Sequence, residues 1–158
     1  MAWRRLLFFF LGRVPFAASL WVLVALIGIA NGTWAHKLPP ATLALWGFGL
    51  DQLWRGRWWT LVTGAVFVHG LWMYWALLVL FVPLTVGAYE WLAGTRRVLI
   101  VYWTTDIGGA LLVALVLILP LYLAGTELGR QLAYAHDVGM SGGGFGCLGA
   151  AVNRLPGR

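Results

Sequence analysis

The residues best suited to chemistry lie near the end of the chain, in Gly139-Met140-Ser141-Gly142, continuing Gly143-Gly144-Phe145-Gly146. A serine among residues without bulk lets another backbone approach its hydroxyl closely. Where a helix starts at that serine, its first amides are unpaired donors that can hold a developing oxyanion. Taken alone, the same pattern reads first as a small-residue packing face, with Ser141 bonded to its own helix. A serine hydroxyl also needs a base to take its proton, and the candidates are His36, His69 and His136. His136 is near in sequence but belongs to the preceding connection, whereas His69 opens an earlier apolar run. Asp106 sits inside another apolar run, where a carboxylate points by default to function. It reads alternatively as a local partner of Thr104 or Thr105, with Gly108-Gly109 admitting a neighbouring helix. Glu90, followed by Arg96 and Arg97, reads as a structural ion pair. Cys147 stands alone among small residues, so it reads as packing and forms no internal disulfide. There is no paired His/Cys spacing and no phosphate-cradling loop, so no metal, nucleotide or redox cofactor is expected.

The elements that must position these groups are membrane spans. The chain is 158 residues long, with 61% hydrophobic and only 10% charged residues, where a soluble domain carries about 25% charged. Eleven tryptophans suit a chain that meets the lipid–water boundary repeatedly. The net charge of +6 is spread as single and paired basic residues between apolar runs, which fits an anionic lipid surface and gives no nucleic-acid footprint. The opening Met-Ala-Trp-Arg-Arg and the apolar residues 6–11 resemble a signal peptide, but no small-residue cleavage site follows, so a retained first span is expected.

Spans are predicted over residues 14–30, 71–88, 98–123 and 138–152, the first near the roughly 20 residues of a crossing and the last short of it. Pro83 is expected to kink the second. A long connection with Pro39-Pro40, Asp51, Arg55, Arg57 and several tryptophans lies between the first two, suited to the interface. Arg4, Arg5, Arg13, Arg96, Arg97, Arg154 and Arg158 collect on one side, outnumbering Lys37, Arg55, Arg57 and Arg130 on the other. That asymmetry puts both termini in the cytoplasm, and His69 and Ser141 at similar depth on the outer side.

The ordered segments resemble the rhomboid intramembrane proteases over residues 56–152. Gly139-Met140-Ser141-Gly142 matches that family's Gly-x-Ser-Gly active-site motif at the start of its fourth span. Phe145 falls at its usual aromatic position and Gly149 at a close-packing glycine. Arg57-Trp58-Trp59-Thr60-Leu61-Val62-Thr63 with Phe67-Val68-His69-Gly70 resembles the approach to its second span. Glu90, Gly94 and Arg96 resemble its next turn.

The resemblance implies an all-α membrane protein corresponding to the first four helices of a rhomboid-like bundle. It would be a single domain over residues 1–158, without the family's last two helices. Ser141 would be the nucleophile, with Gly139, Gly142, His69, Tyr74 and Phe145 in supporting positions. The substrate would be a transmembrane segment, with the bilayer and possible partner chains as the other contacts. A bacterial plasma membrane is the implied location. The departures are specific. The family's second histidine and asparagine in this stretch fall on Tyr74 and Leu78, and its catalytic histidine belongs to a helix not seen here. These departures imply the alternative, a noncatalytic rhomboid-like domain that binds helices or anchors another activity, as in lipid-modifying lysyltransferases.

Overall fold

The computed structural model describes residues 12–154. The opening apolar residues 6–11, with Arg4, Arg5 and Arg158, lie outside the described residues. The described chain is helical, and its one sheet-like contact is a backbone pair between Phe48 and Asp137.

Helix α1, Pro15–Ala30, is apolar all round and starts with a proline, whose fixed φ and missing N–H suit a first turn. Asn31 ends it: its backbone and side-chain N–H groups both donate to the Ile27 carbonyl. Short helices follow: α2 (Pro40–Trp46), α3 (Leu50–Trp54) and α4 (Thr60–Thr63), the last running into a 3-10 turn at Gly64–Val66. The expected interfacial connection is therefore largely helical, divided by Gly47 and by Gly56 at φ 73°.

Helix α5 runs Leu71–Ala93 and α6 runs Thr95–Leu123, and both are long and apolar enough to cross a membrane. Only these two reach that length among the described residues; α1, at 16 residues, spans about 24 Å. Helix α7, Glu127–Ala133, is capped by Thr126, whose hydroxyl accepts from the Gly129 amide at 3.0 Å. Helix α8 is Ser141–Val152.

The expected kink at Pro83 takes the form of a widened helix. Residues Leu77–Gly87 adopt i→i+5 bonding, with the Ala88 amide reaching the Pro83 carbonyl. In that register the Leu78 carbonyl is the one that Pro83, lacking an N–H, cannot serve. The Trp21 indole of α1 serves it instead, donating to Leu78 O at 2.8 Å.

Helices α1, α5, α6 and α8 share the main core, built on Val24, Val82, Val86, Val98, Tyr102 and Cys147. A second cluster joins α3, α4, α6 and α7 around Leu50 and Ala133. Two ends of the bundle follow from these contacts. At one end the start of α1 meets the α5–α6 turn, and Arg154 after α8 lies over the Tyr89 ring. At the other, Leu38 donates to the His69 carbonyl and Gly139 to the Gly64 carbonyl, so His69 and Ser141 share this end. The outward faces of α5 and α6 are apolar: Trp72 is 87% exposed, Val116 68% and Leu123 74%.

Candidate functional site

Helix α8 begins where the chain turns through Gly139, at φ 133°, a conformation open to glycine and strained for other residues. The buried Met140 anchors this turn, its carbonyl accepting from the Gly144 amide at 3.0 Å. Ser141 is the first helical residue and is exposed, and its hydroxyl makes no hydrogen bond among the described residues. It opens on a cavity of about 610 Å³ whose wall includes Gly139, Gly142, Asp106, Gly109, His136 and Asp137.

Asp106 reaches this site from α6. Its Oδ1 accepts from the Gly143 amide at 2.9 Å, and the side chain is buried to 8% exposure while still lining the cavity. The carboxylate thus caps α8 from a different helix, and Gly142 makes room for it, since a Cβ there would sit 3.1 Å from Asp106 Oδ1. The expected local partners do not engage it. The Thr104 and Thr105 hydroxyls donate to the Ile100 and Val101 carbonyls of their own helix, at 2.6 and 2.7 Å. A negative charge at a helix N-terminus is favourable, but it occupies one of the amides an oxyanion would use and repels the anion itself.

Glu90 is corrected in the same way. It does not pair with Arg96 or Arg97; its Oε2 accepts from the Ala17 amide at 2.7 Å, and Oε1 from Phe16 at 3.0 Å and from the Thr95 hydroxyl at 2.7 Å. Pro15 at the start of α1 leaves Phe16 and Ala17 as the first amides with protons to place, and a carboxylate serves both.

His136 lines the Ser141 cavity and is held from behind. Its Nε2 lies 3.0 Å from Asp51 Oδ1 and 2.9 Å from Gln52 Nε2. One ring nitrogen cannot donate to the carboxylate and accept from the amide at once, so the proton on Nε2 decides which contact is made. Arg55 stands 3.6 Å from Asp51 Oδ2, and Gln52 Nε2 also donates to the Ala44 carbonyl at 2.8 Å. The two-way backbone pairing of Phe48 with Asp137, at 2.8 and 2.9 Å, fastens the same connection.

Of the residues singled out in the sequence, Ser141, Gly139 and Gly142 come together on the cavity, and His136 joins them. His69 is exposed and does not line it, and His36 is exposed nearby in the α1–α2 connection. Tyr74 turns the other way: buried, it donates to the Ala25 carbonyl of α1 at 3.2 Å, with its ring pressed on Gly28. Phe145 is exposed and meets the edge of Phe81 at 5.2 Å between centroids. Close packing falls on Gly143 against Tyr102, Gly144 against Phe81 and Gly146 against Thr105, whereas Gly149, Gly108 and Gly109 have nothing within 4 Å of a built Cβ among the described residues. Cys147 is fully buried in the core. Asp51 and Gln52 were missed because nothing in Leu50-Asp51-Gln52-Leu53 marks them apart from other interfacial polar residues. No three His, Cys, Asp or Glu side chains gather as a metal site among the described residues. Set against family models, curated proteins and solved structures, the chain matches none.

Proposed function

We propose that this chain is a rhomboid-like domain, integral to a bacterial plasma membrane, that receives a segment of another membrane protein in the Ser141 cavity without cutting it. One observation carries this: the α8 start opens on a cavity of about 610 Å³, yet its Gly143 amide is taken by Asp106. The space suits a bound segment, and the carboxylate opposes an oxyanion. The apolar outward faces of α5 and α6 suit a lipid surrounding. Arg13, Arg96, Arg97 and Arg154 gather at one end of the bundle and favour that end in the cytoplasm.

One feature favours proteolysis instead. Exposed Ser141 shares its cavity with His136, whose ring is held by Asp51, the composition of a serine–histidine–aspartate set. A fluorophosphonate probe separates the two. Noncatalytic binding predicts no labelling of the purified chain in lipid, together with photo-crosslinking of a membrane peptide from a benzophenone residue at Val113 that a residue at Trp72 does not give. Labelling that Ser141→Ala abolishes establishes the protease.

A further inference from the structure

Asp106 and Asp137 both face the cavity, and neither a lysine nor an arginine lines it. Asp106 is more than nine-tenths buried and uses only one of its oxygens. Its Oδ2 makes no hydrogen bond with any described residue. Asp137 also spends one oxygen locally, Oδ1 accepting from the Val138 amide at 2.9 Å. His136 is turned by its Nε2 toward Asp51. Asp106 Oδ2 is not sealed in the interior, so a cation or donor entering the cavity can reach it, and a charge-assisted hydrogen bond there is a strong one.

The volume, about 610 Å³, is far more than a bare ion fills. Apart from Ser141 and His136, the rest of the wall is apolar or glycine, with Leu61, Ala110 and Val113 among its members. This combination suits a group with a charged tip on an apolar stem.

We infer that the cavity takes the lysine or arginine side chain of the incoming segment, with its ammonium or guanidinium on Asp106 Oδ2 and Asp137 and its stem along α4 and α6. This rests on the reading of the cavity as a receptor for a membrane segment.

The full chain in phosphatidylcholine nanodiscs is titrated with a labelled apolar transmembrane peptide carrying a single lysine, and with its twin carrying norleucine there. The lysine peptide is expected to bind about tenfold or more tightly, the size of one charge-assisted hydrogen bond. Asp106→Asn keeps an acceptor for the Gly143 amide, so it tests the charge and not the cap. It is expected to bind both peptides at the norleucine level with an unchanged melting temperature. Asp137→Asn, which leaves the α8 cap untouched, is expected to reduce the preference partially. Equal binding of the twins by the unaltered chain overturns the cation site and leaves segment binding standing. A preference that survives both substitutions also overturns it. Binding of neither peptide overturns both. A lysine preference erased by replacing half of the lipid with phosphatidylethanolamine gives the site to a lipid amine and overturns the peptide assignment.

Discussion

Two helices of this bundle begin on a carboxylate borrowed from a neighbour, and the two arrangements differ. At the start of α1, Glu90 is 1% exposed and each of its oxygens is engaged, by the Phe16 and Ala17 amides and the Thr95 hydroxyl. At the start of α8, Asp106 serves only the Gly143 amide and its second oxygen faces a cavity. The first is a closed joint, in which both carboxylate oxygens are engaged by the chain itself. The second is the same device left partly open. A carboxylate oxygen without a protein partner can gain a hydrogen bond from a ligand, so the open one is where binding can add an interaction.

The largest expected effect lies at the closed joint. Glu90→Ala strands two helix-start amides and a hydroxyl in the bundle. At about 1–3 kcal/mol for each buried group left without a partner, the loss is expected to be about 3 kcal/mol or more. Thermal unfolding in detergent measures it. A loss below about 1 kcal/mol would mean that water reaches this end, and that the contrast with Asp106 is not one of closure.

Next in size is a contrast along α8, which is held mainly by its glycines. A Cβ on Gly146 would lie 2.6 Å from the Thr105 Cβ, a branched atom that cannot swing away, whereas Gly149 faces open space. Gly146→Ala is expected to destabilise by about 1–3 kcal/mol through overpacking. Gly149→Ala is expected to be neutral or to stabilise by up to about 1 kcal/mol through helix propensity. Equal effects at the two positions would show that α8 does not pack on α6 by this face.

At the open joint the effects are smaller. Asp106→Ala removes one cap and is expected to cost about 0.5–2 kcal/mol, less than Glu90→Ala. Asp106→Asn is expected to leave the melting temperature unchanged, because its amide oxygen still accepts from Gly143. Failure of the asparagine to rescue would show that the charge itself supports the fold, and that the second oxygen has a structural partner.

How much of this was legible in the sequence follows the range of each interaction. The long helices were, because apolar composition acts locally. Residues 14–30 were expected against Pro15–Ala30 observed, and 98–123 against Thr95–Leu123. The short helices α2, α3, α4 and α7 were read as connections, since in segments this short packing decides the backbone more than propensity does. Ser141 at a helix start was legible from its flanking glycines. The partners of Asp106 and Glu90 were not: Glu90 has arginines close by in sequence, but the α1 amides it binds are 73 and 74 residues away. His136 and Asp51, separated by 85 residues, leave no local signal at all. The family resemblance suggested His69 and Tyr74 beside Ser141, but Gly28 opens a slot in α1 that the Tyr74 ring fills, which directs that side chain away.

The smallest effect bears on what else holds α1. Besides Glu90 and the Tyr74 hydroxyl on the Ala25 carbonyl, α1 is tied to α5 by the Trp21 indole on the Leu78 carbonyl, the acceptor that Pro83 leaves unserved. If that carbonyl needs Trp21 because of the proline, the two side chains are coupled although they sit on different helices. Trp21→Phe keeps the ring bulk and removes the donor, so it is expected to cost about 1 kcal/mol. In a Pro83→Ala background the backbone regains an N–H at that position, and the same change is expected to cost markedly less. A double-mutant cycle on unfolding midpoints measures the difference. Additivity would mean that the carbonyl finds another donor when the indole is gone, and that α1 owes its place to the Glu90 cap, the Tyr74 hydroxyl and apolar packing without help from Trp21.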